Sequence, residues 1–257
     1  MSAITLQPKR TWILMRNDLM VARTPAVLLA AASGVILVLY VVTSLGGGSQ
    51  EFHEIAYSTF LVLPGLVISS YAFAQIHDSR SGVYELSGPG SILEKYVAKM
   101  LLTSVGWAVA ATVVYMLTTA LGAAISSVVI GDSHGVFVPN SSMYWETFAS
   151  YLVYQSVFVF GSIYFKKSAF LKTVLSIVSL MLVYAAFLAV AGRIIYWNMS
   201  ARVIPTEEEM NAIVEAVSPH GERLTKLSDG IFVYVEWVVM PIFFWFVGYM
   251  RLRETEV

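Results

Sequence analysis

Six apolar runs alternate along the chain with short polar segments, near 25–45, 57–77, 99–129, 147–165, 169–195 and 230–250. Each is long enough to cross roughly 30 Å of hydrocarbon, for which about 20 helical residues are needed. The third and fifth exceed one crossing, so the pattern predicts tilt, a kink or continuation beyond the bilayer. Three polar stretches carry helical periodicity of their own. Pro8 to Val21 places Trp12, Met15 and Leu19 on one side and Lys9, Arg10, Arg16 and Asp18 around the rest, which predicts an interfacial segment over 8–23. In the insert 78–99, Gly88, Pro89 and Gly90 punctuate the chain before Ser91 and Glu94, a capping box. The helix that follows sets Ile92, Leu93, Tyr96, Val97 and Met100 on one stripe and turns Glu94, Lys95 and Lys99 away from it. Within 196–229, Thr206 and Glu209 form a second capping box ahead of Met210, Ile213, Val214 and Val217. That small segment reads as a lid on the span ends rather than a ligand-binding domain.

Composition turns this pattern into a class. Of 257 residues, 57% are hydrophobic and only 13% charged, and the mean hydropathy is +0.71, which predicts an all-α integral membrane protein with one permease-like domain over 1–257. The first run is too long for the core of a signal peptide and is read as a retained span. Net charge, −1, hides a sorting by side. With the N-terminus inside, Lys9, Arg10, Arg16, Arg23, Arg80, Lys95, Lys99, Lys166, Lys167, Lys172, Arg251 and Arg253 fall on the cytoplasmic face. These are 12 of the 16 basic residues, and only Arg193, Arg202, Arg223 and Lys226 fall outside. The positive-inside rule therefore predicts both termini in the cytoplasm. At headgroup level Trp12 would sit in the interface with Arg16 near anionic lipid, whether α-helical segment 8–23 is a simple anchor or has a role in gating.

Candidate chemistry is sparse. The absence of cysteine excludes disulfides and thiolate metal sites. His53, His134 and His220 read as outer-loop residues and His77 as a boundary residue, and no HExxH occurs, so neither a catalytic residue nor a metal site is predicted. No phosphate loop ending in Gly-Lys-Ser/Thr is present, so the chain is not itself a nucleotide-hydrolysing enzyme. Glu236 is the one acid within a span. It reads as a group that reaches water, as a partner of Arg193, or as a site handling substrate or protons. Small residues at Ala30, Ala31, Ala32 and Gly34, then Gly106, Ala110 and Ala111, and then Gly122, Ala123 and Ala124, permit close helix approach within one subunit or across a dimer. Tyr40, Tyr71, Tyr154, Tyr164, Trp197 and Trp237 read as belt or packing aromatics. Asn140-Ser-Ser and Asn198-Met-Ser match the glycosylation pattern, which has meaning only in a secretory setting.

Taken together, the basic helix at 9–21, the six runs with both termini inside, and the insert read as SGPGSILEKYVAK resemble the ABC-2 type transport permeases, the membrane subunits of ABC exporters. GSIYFKKSAFLKT at 161–173 is similar to the short inner loop between spans four and five. The architectural likeness covers essentially the whole chain. It implies that 78–99 is a cytoplasmic coupling loop whose helix docks on a separate ABC ATPase, with Ser91, Glu94, Lys95 and Tyr96 at or beside the docking surface. It further implies a homodimer, ATP and Mg bound by the partner ATPase, a bacterial inner membrane and no nucleic-acid partner. Leu86-Ser87-Gly88-Pro89-Gly90 resembles the signature sequence of the ATPases, but without a phosphate loop it is a turn. The alternative is a gradient-driven secondary transporter or channel working alone, which inverted repeats or paired mid-membrane charges would favour. A third is a non-transporting regulatory or assembly subunit.

Overall fold

A basic 14-residue helix, α1 (Pro8–Val21), leads through the single position 22 into the apolar 22-residue α2 (Arg23–Ser44). The computed structural model describes residues 7–21, 23–47, 51–77, 90–131, 133–140, 142–200 and 233–254. The expectations for 78–89 and for the small helix within 201–232 lie outside these residues. α3 (Glu51–Tyr71) returns and ends in a short 3₁₀ turn at Ala74–His77. After the insert, α4 (Ile92–Leu101) passes through a π turn (Leu102–Gly106) into α5 (Trp107–Val129). α6 (Ser142–Tyr164) and α7 (Ala169–Ser200) follow. A second π turn (Val235–Val239) enters the last helix, α8 (Met240–Glu254). The described residues are entirely helical or irregular, with no strand among them.

Among the described residues, five segments are long and apolar enough to cross a membrane: Arg23–Ser44, Glu51–His77, Ile92–Val129, Ala169–Ile194 and Val235–Glu254. The chain thus has the character of an integral membrane protein. Where the sequence predicts a span at 99–129, the helical run is 38 residues long and is interrupted by the π turn. The run at 169–195 forms a helix of 32 residues, about 48 Å at 1.5 Å per residue. The run predicted at 230–250, of which 230–232 lie outside the described residues, stays helical to Glu254.

The predicted run at 147–165 does form a helix, α6, but it is not among the five. Its Ser, Tyr and Gln side chains dilute its apolar character. They are also the side chains it buries, Tyr151, Gln155, Ser156 and Ser162 among them. α6 packs against α3 on one side and α8 on the other, so its polar groups meet protein rather than lipid.

By contact the chain divides into Met1–Phe170 with Met240–Val257, and Leu171–Val239. In the first unit α2 packs on α5 and α3, α3 packs on α6, α6 on α8, and α1 lies along α4. One core gathers Tyr57, Phe60, Leu61, Trp107, Tyr115, Phe137 and Tyr151, and a second gathers Phe73, Tyr96, Val159, Ile163 and Leu252. Close approach between α2 and α5 is set by Gly122, where the ring of Tyr40 lies so near that a Cβ would come within 2.7 Å of its Cδ1. The second unit comprises most of α7 and the π turn at Val235–Val239. The most apolar stretch of Ala169–Ile194 buries none of its residues, a surface suited to lipid.

Candidate partner-docking site

α4 begins with Gly90 at φ +129°, a conformation that favours glycine, followed by Ser91 in extended geometry. The Glu94 N–H donates to Ser91 Oγ at 3.2 Å, and the Ser91 N–H donates to Glu94 Oε2 at 2.9 Å, the capping box expected from sequence. A third bond was not legible there: the Gln7 N–H, 87 residues away, donates to Glu94 Oε1 at 2.9 Å. The carboxylate thus ties the entry of α1 to the entry of α4. Thr11 is buried in the same contact, and Leu14 Cδ1 would lie 3.4 Å from a Cβ at position 90.

This arrangement corrects the predicted charged face of α4. Glu94 and Lys99, expected to point away from the packed stripe, are 1% and 8% exposed. The apolar stripe does pack, with Tyr96 in the second core, Ile92, Val97 and Met100 partly buried against it and Leu93 partly exposed, so charged and apolar side chains of α4 are buried together. The reason is that α1 and the end of α3 offer partners for charge: backbone N–H groups for Glu94, and the Phe73 ring, whose centroid is 5.7 Å from Lys99 Nζ. Tyr96 is buried as well. Its hydroxyl donates to the Trp245 carbonyl at 2.7 Å, and its ring stacks on Phe73 with centroids 5.5 Å apart. Of the four residues assigned to docking, Ser91 and Lys95 are half-buried, whereas Glu94 and Tyr96 are engaged inside the chain.

α4 connects directly to the middle of the bundle. A π turn leaves backbone carbonyls displaced from ideal helical partners, and in an apolar setting they need others. α6 supplies them. Tyr151 Oη donates to the Thr103 carbonyl, and Gln155 Nε2 donates to Thr103 Oγ1 at 2.9 Å. Gln155 Oε1 in turn accepts from Trp245 Nε1 of α8 at 3.3 Å. Beside it, α3 contains Pro64, whose ring and missing N–H disturb the preceding turn. There Trp107 Nε1, at the start of α5, donates to the Leu61 carbonyl at 2.9 Å. Two irregular backbones therefore meet at one level and are completed by side chains of their neighbours.

A second polar cluster closes the end of the unit away from α1. His53 and His134, read from sequence as outer-loop residues, are both buried, His53 within α3. Gly135 O can only accept, so His53 Nε2–H donates to it at 3.3 Å and Tyr115 Oη donates to Nδ1 at 3.2 Å. The Thr43 hydroxyl donates to Leu39 O at 2.6 Å, so His134 Nε2–H donates to Thr43 Oγ1 at 2.8 Å. Tyr40 Oη donates to Gly135 O at 2.6 Å. These bonds fold 133–138 onto the ends of α2, α3 and α5, beside an open cleft of about 380 Å³ lined by His53, Glu54, Val136, Phe137, Val138, Asn140 and Met143. No group of three metal-ligating side chains occurs among the described residues.

The remaining candidates are not brought together. Glu236, in the second π turn, and Arg193, in α7, are exposed residues of the second unit, and no ion pair joins them among the described residues. Trp12 and Arg16 lie exposed on α1, on the side opposite its contact with α4. No protein-family model, curated protein or solved structure matches the chain.

Proposed function

We propose that this chain is the membrane permease of an ATP-driven exporter, working as a dimer with separate ATPase subunits that bind ATP and Mg. On this reading α6 is a sixth crossing shielded from lipid by α3 and α8, α4 is the coupling helix, and both termini face the cytoplasm of a bacterial inner membrane. The observation that carries the reading is α4 itself: a capped helix, braced by α1 and bonded to α8, that continues through a π turn into a membrane segment. A push on such a helix reaches the bundle without first being absorbed by a loose loop. The docking contact falls to its half-buried side chains, Ser91, Ile92, Leu93 and Lys95, while Glu94 and Tyr96 hold the helix in place.

Purification in mild detergent together with the products of neighbouring genes is expected to recover a soluble ATPase. Lys95→Glu is expected to weaken that association roughly tenfold, equivalent to about 1.4 kcal/mol. Absence of any ATPase, combined with transport by the purified chain in ATP-free liposomes, would replace this reading with a gradient-driven carrier.

A further inference from the structure

α1 carries three parallel stripes on the surface it does not use against α4. Residues seven apart in a helix lie almost in line, about 10 Å apart along the axis. Lys9 and Arg16 form the central stripe, Trp12 and Leu19 flank it on one side, and Ile13 and Met20 flank it on the other. All are exposed: Trp12 64%, Leu19 59%, Ile13 55% and Met20 66% among the apolar four. The opposite side, with Thr11 buried and Leu14 against the entry of α4, is occupied.

The tether limits what can cover this surface. Only position 22 separates α1 from α2, a helix whose most apolar stretch is 11% buried and therefore open to hydrocarbon. The C-terminal end of α1 consequently lies at the boundary of that hydrocarbon. Apolar side chains there enter the acyl region, and long basic side chains between them extend their charge to the headgroup plane. A cationic row held between two apolar rows fits a negatively charged headgroup above and acyl chains on either side. A zwitterionic lipid satisfies the apolar rows equally well and leaves the cations without a matching net charge.

We infer that the exposed face of α1 is a recognition surface for acidic phospholipid, with Lys9 and Arg16 as its selective residues. Because Gln7, the residue leading into α1, donates its N–H to Glu94, bound acidic lipid also holds the entry of α4 in place. The inference does not depend on the identity of any ATPase.

The test uses the full chain, solubilised in neutral detergent and offered equimolar phosphatidylglycerol and phosphatidylcholine, with bound lipid counted by native mass spectrometry. The unaltered protein is expected to retain phosphatidylglycerol preferentially. Lys9→Gln with Arg16→Gln is expected to lower that preference about fivefold for each charge removed at low salt. Lys9→Arg with Arg16→Lys is expected to preserve it, as is Lys166→Gln with Lys167→Gln, which removes two exposed cations elsewhere. A wild-type protein without preference, a preference unchanged by the α1 double glutamine, or an equal loss in the 166/167 variant overturns the inference. An acidic protein as the true occupant of this face would produce the second of these results.

Discussion

Gly65→Ala probes the place where the two irregular backbones meet. Gly65 follows Pro64 in α3, and an added Cβ would lie 2.5 Å from Trp107 Nε1 and 2.5 Å from Tyr151 Cε2. Neither ring can swing aside freely, because Trp107 is bonded to Leu61 O and Tyr151 to Thr103 O. Overpacking of a filled interior costs about 1–3 kcal/mol. Losing the 2.9 Å Trp107 bond adds roughly 1 kcal/mol. The expected destabilisation is therefore about 2–4 kcal/mol. It is measured as the shift in the midpoint of SDS-induced unfolding from neutral micelles. Gly34→Ala in α2 is the control, since nothing lies within 4 Å of the added methyl, and it is expected to be neutral or more stable by up to about 1 kcal/mol. In a Trp107→Phe background, which removes one of the two nearest atoms, Gly65→Ala is expected to cost about 1 kcal/mol less than in the native background. If Gly65→Ala unfolds at the wild-type midpoint, the close packing of α3, α5 and α6 described above is wrong.

Two other substitutions test the ends of the first unit. Gly122→Ala places a methyl 2.7 Å from Tyr40 Cδ1, and is expected to separate α2 from α5 at a cost of about 1–3 kcal/mol. The same change should release 133–138, seen as faster amide hydrogen exchange there, because Tyr40 no longer reaches Gly135 O. Ser91→Ala removes the acceptor for the Glu94 N–H and is expected to lose about 1 kcal/mol of local helix stability. Hydrogen exchange over the first turn of α4 should rise roughly fivefold, with α6 unchanged; equal protection in both proteins would show that the cap does not set that helix end.

The legible parts of this protein are those whose causes lie within a few residues of their effects. The bounds of α1 at Pro8–Val21 follow from local pattern, and the Ser91–Glu94 box is a contact across three residues. Apolar length likewise reveals the long helices, since each must satisfy its own backbone before it meets a neighbour. The same reasoning assigned the wrong burial to Glu94 and Lys99, because helical periodicity sorts side chains by polarity and cannot see the N–H of Gln7 or the ring of Phe73. It also placed His53 in a loop, although His53 lies within α3, and it did not see that His134, which is a loop residue, is buried with it in one hydrogen-bonded cluster.

What the sequence determined by itself is an all-helical membrane-type chain with a basic, Trp-bearing helix ahead of its first long apolar helix and a capped helix after the insert. Only the tertiary structure decided which polar residues are fastened inside. Glu94 finds Gln7 across 87 residues, Tyr96 finds Trp245 across 149, and Trp107 finds Leu61 across 46. Such bonds depend on the rotation of one helix against another, and a linear pattern carries the period of each helix but not its phase relative to the next. In a bundle where lipid offers no hydrogen bonds, that phase determines which backbone breaks can be tolerated. Here it let α6 turn its polar face inward and support the π turn from within.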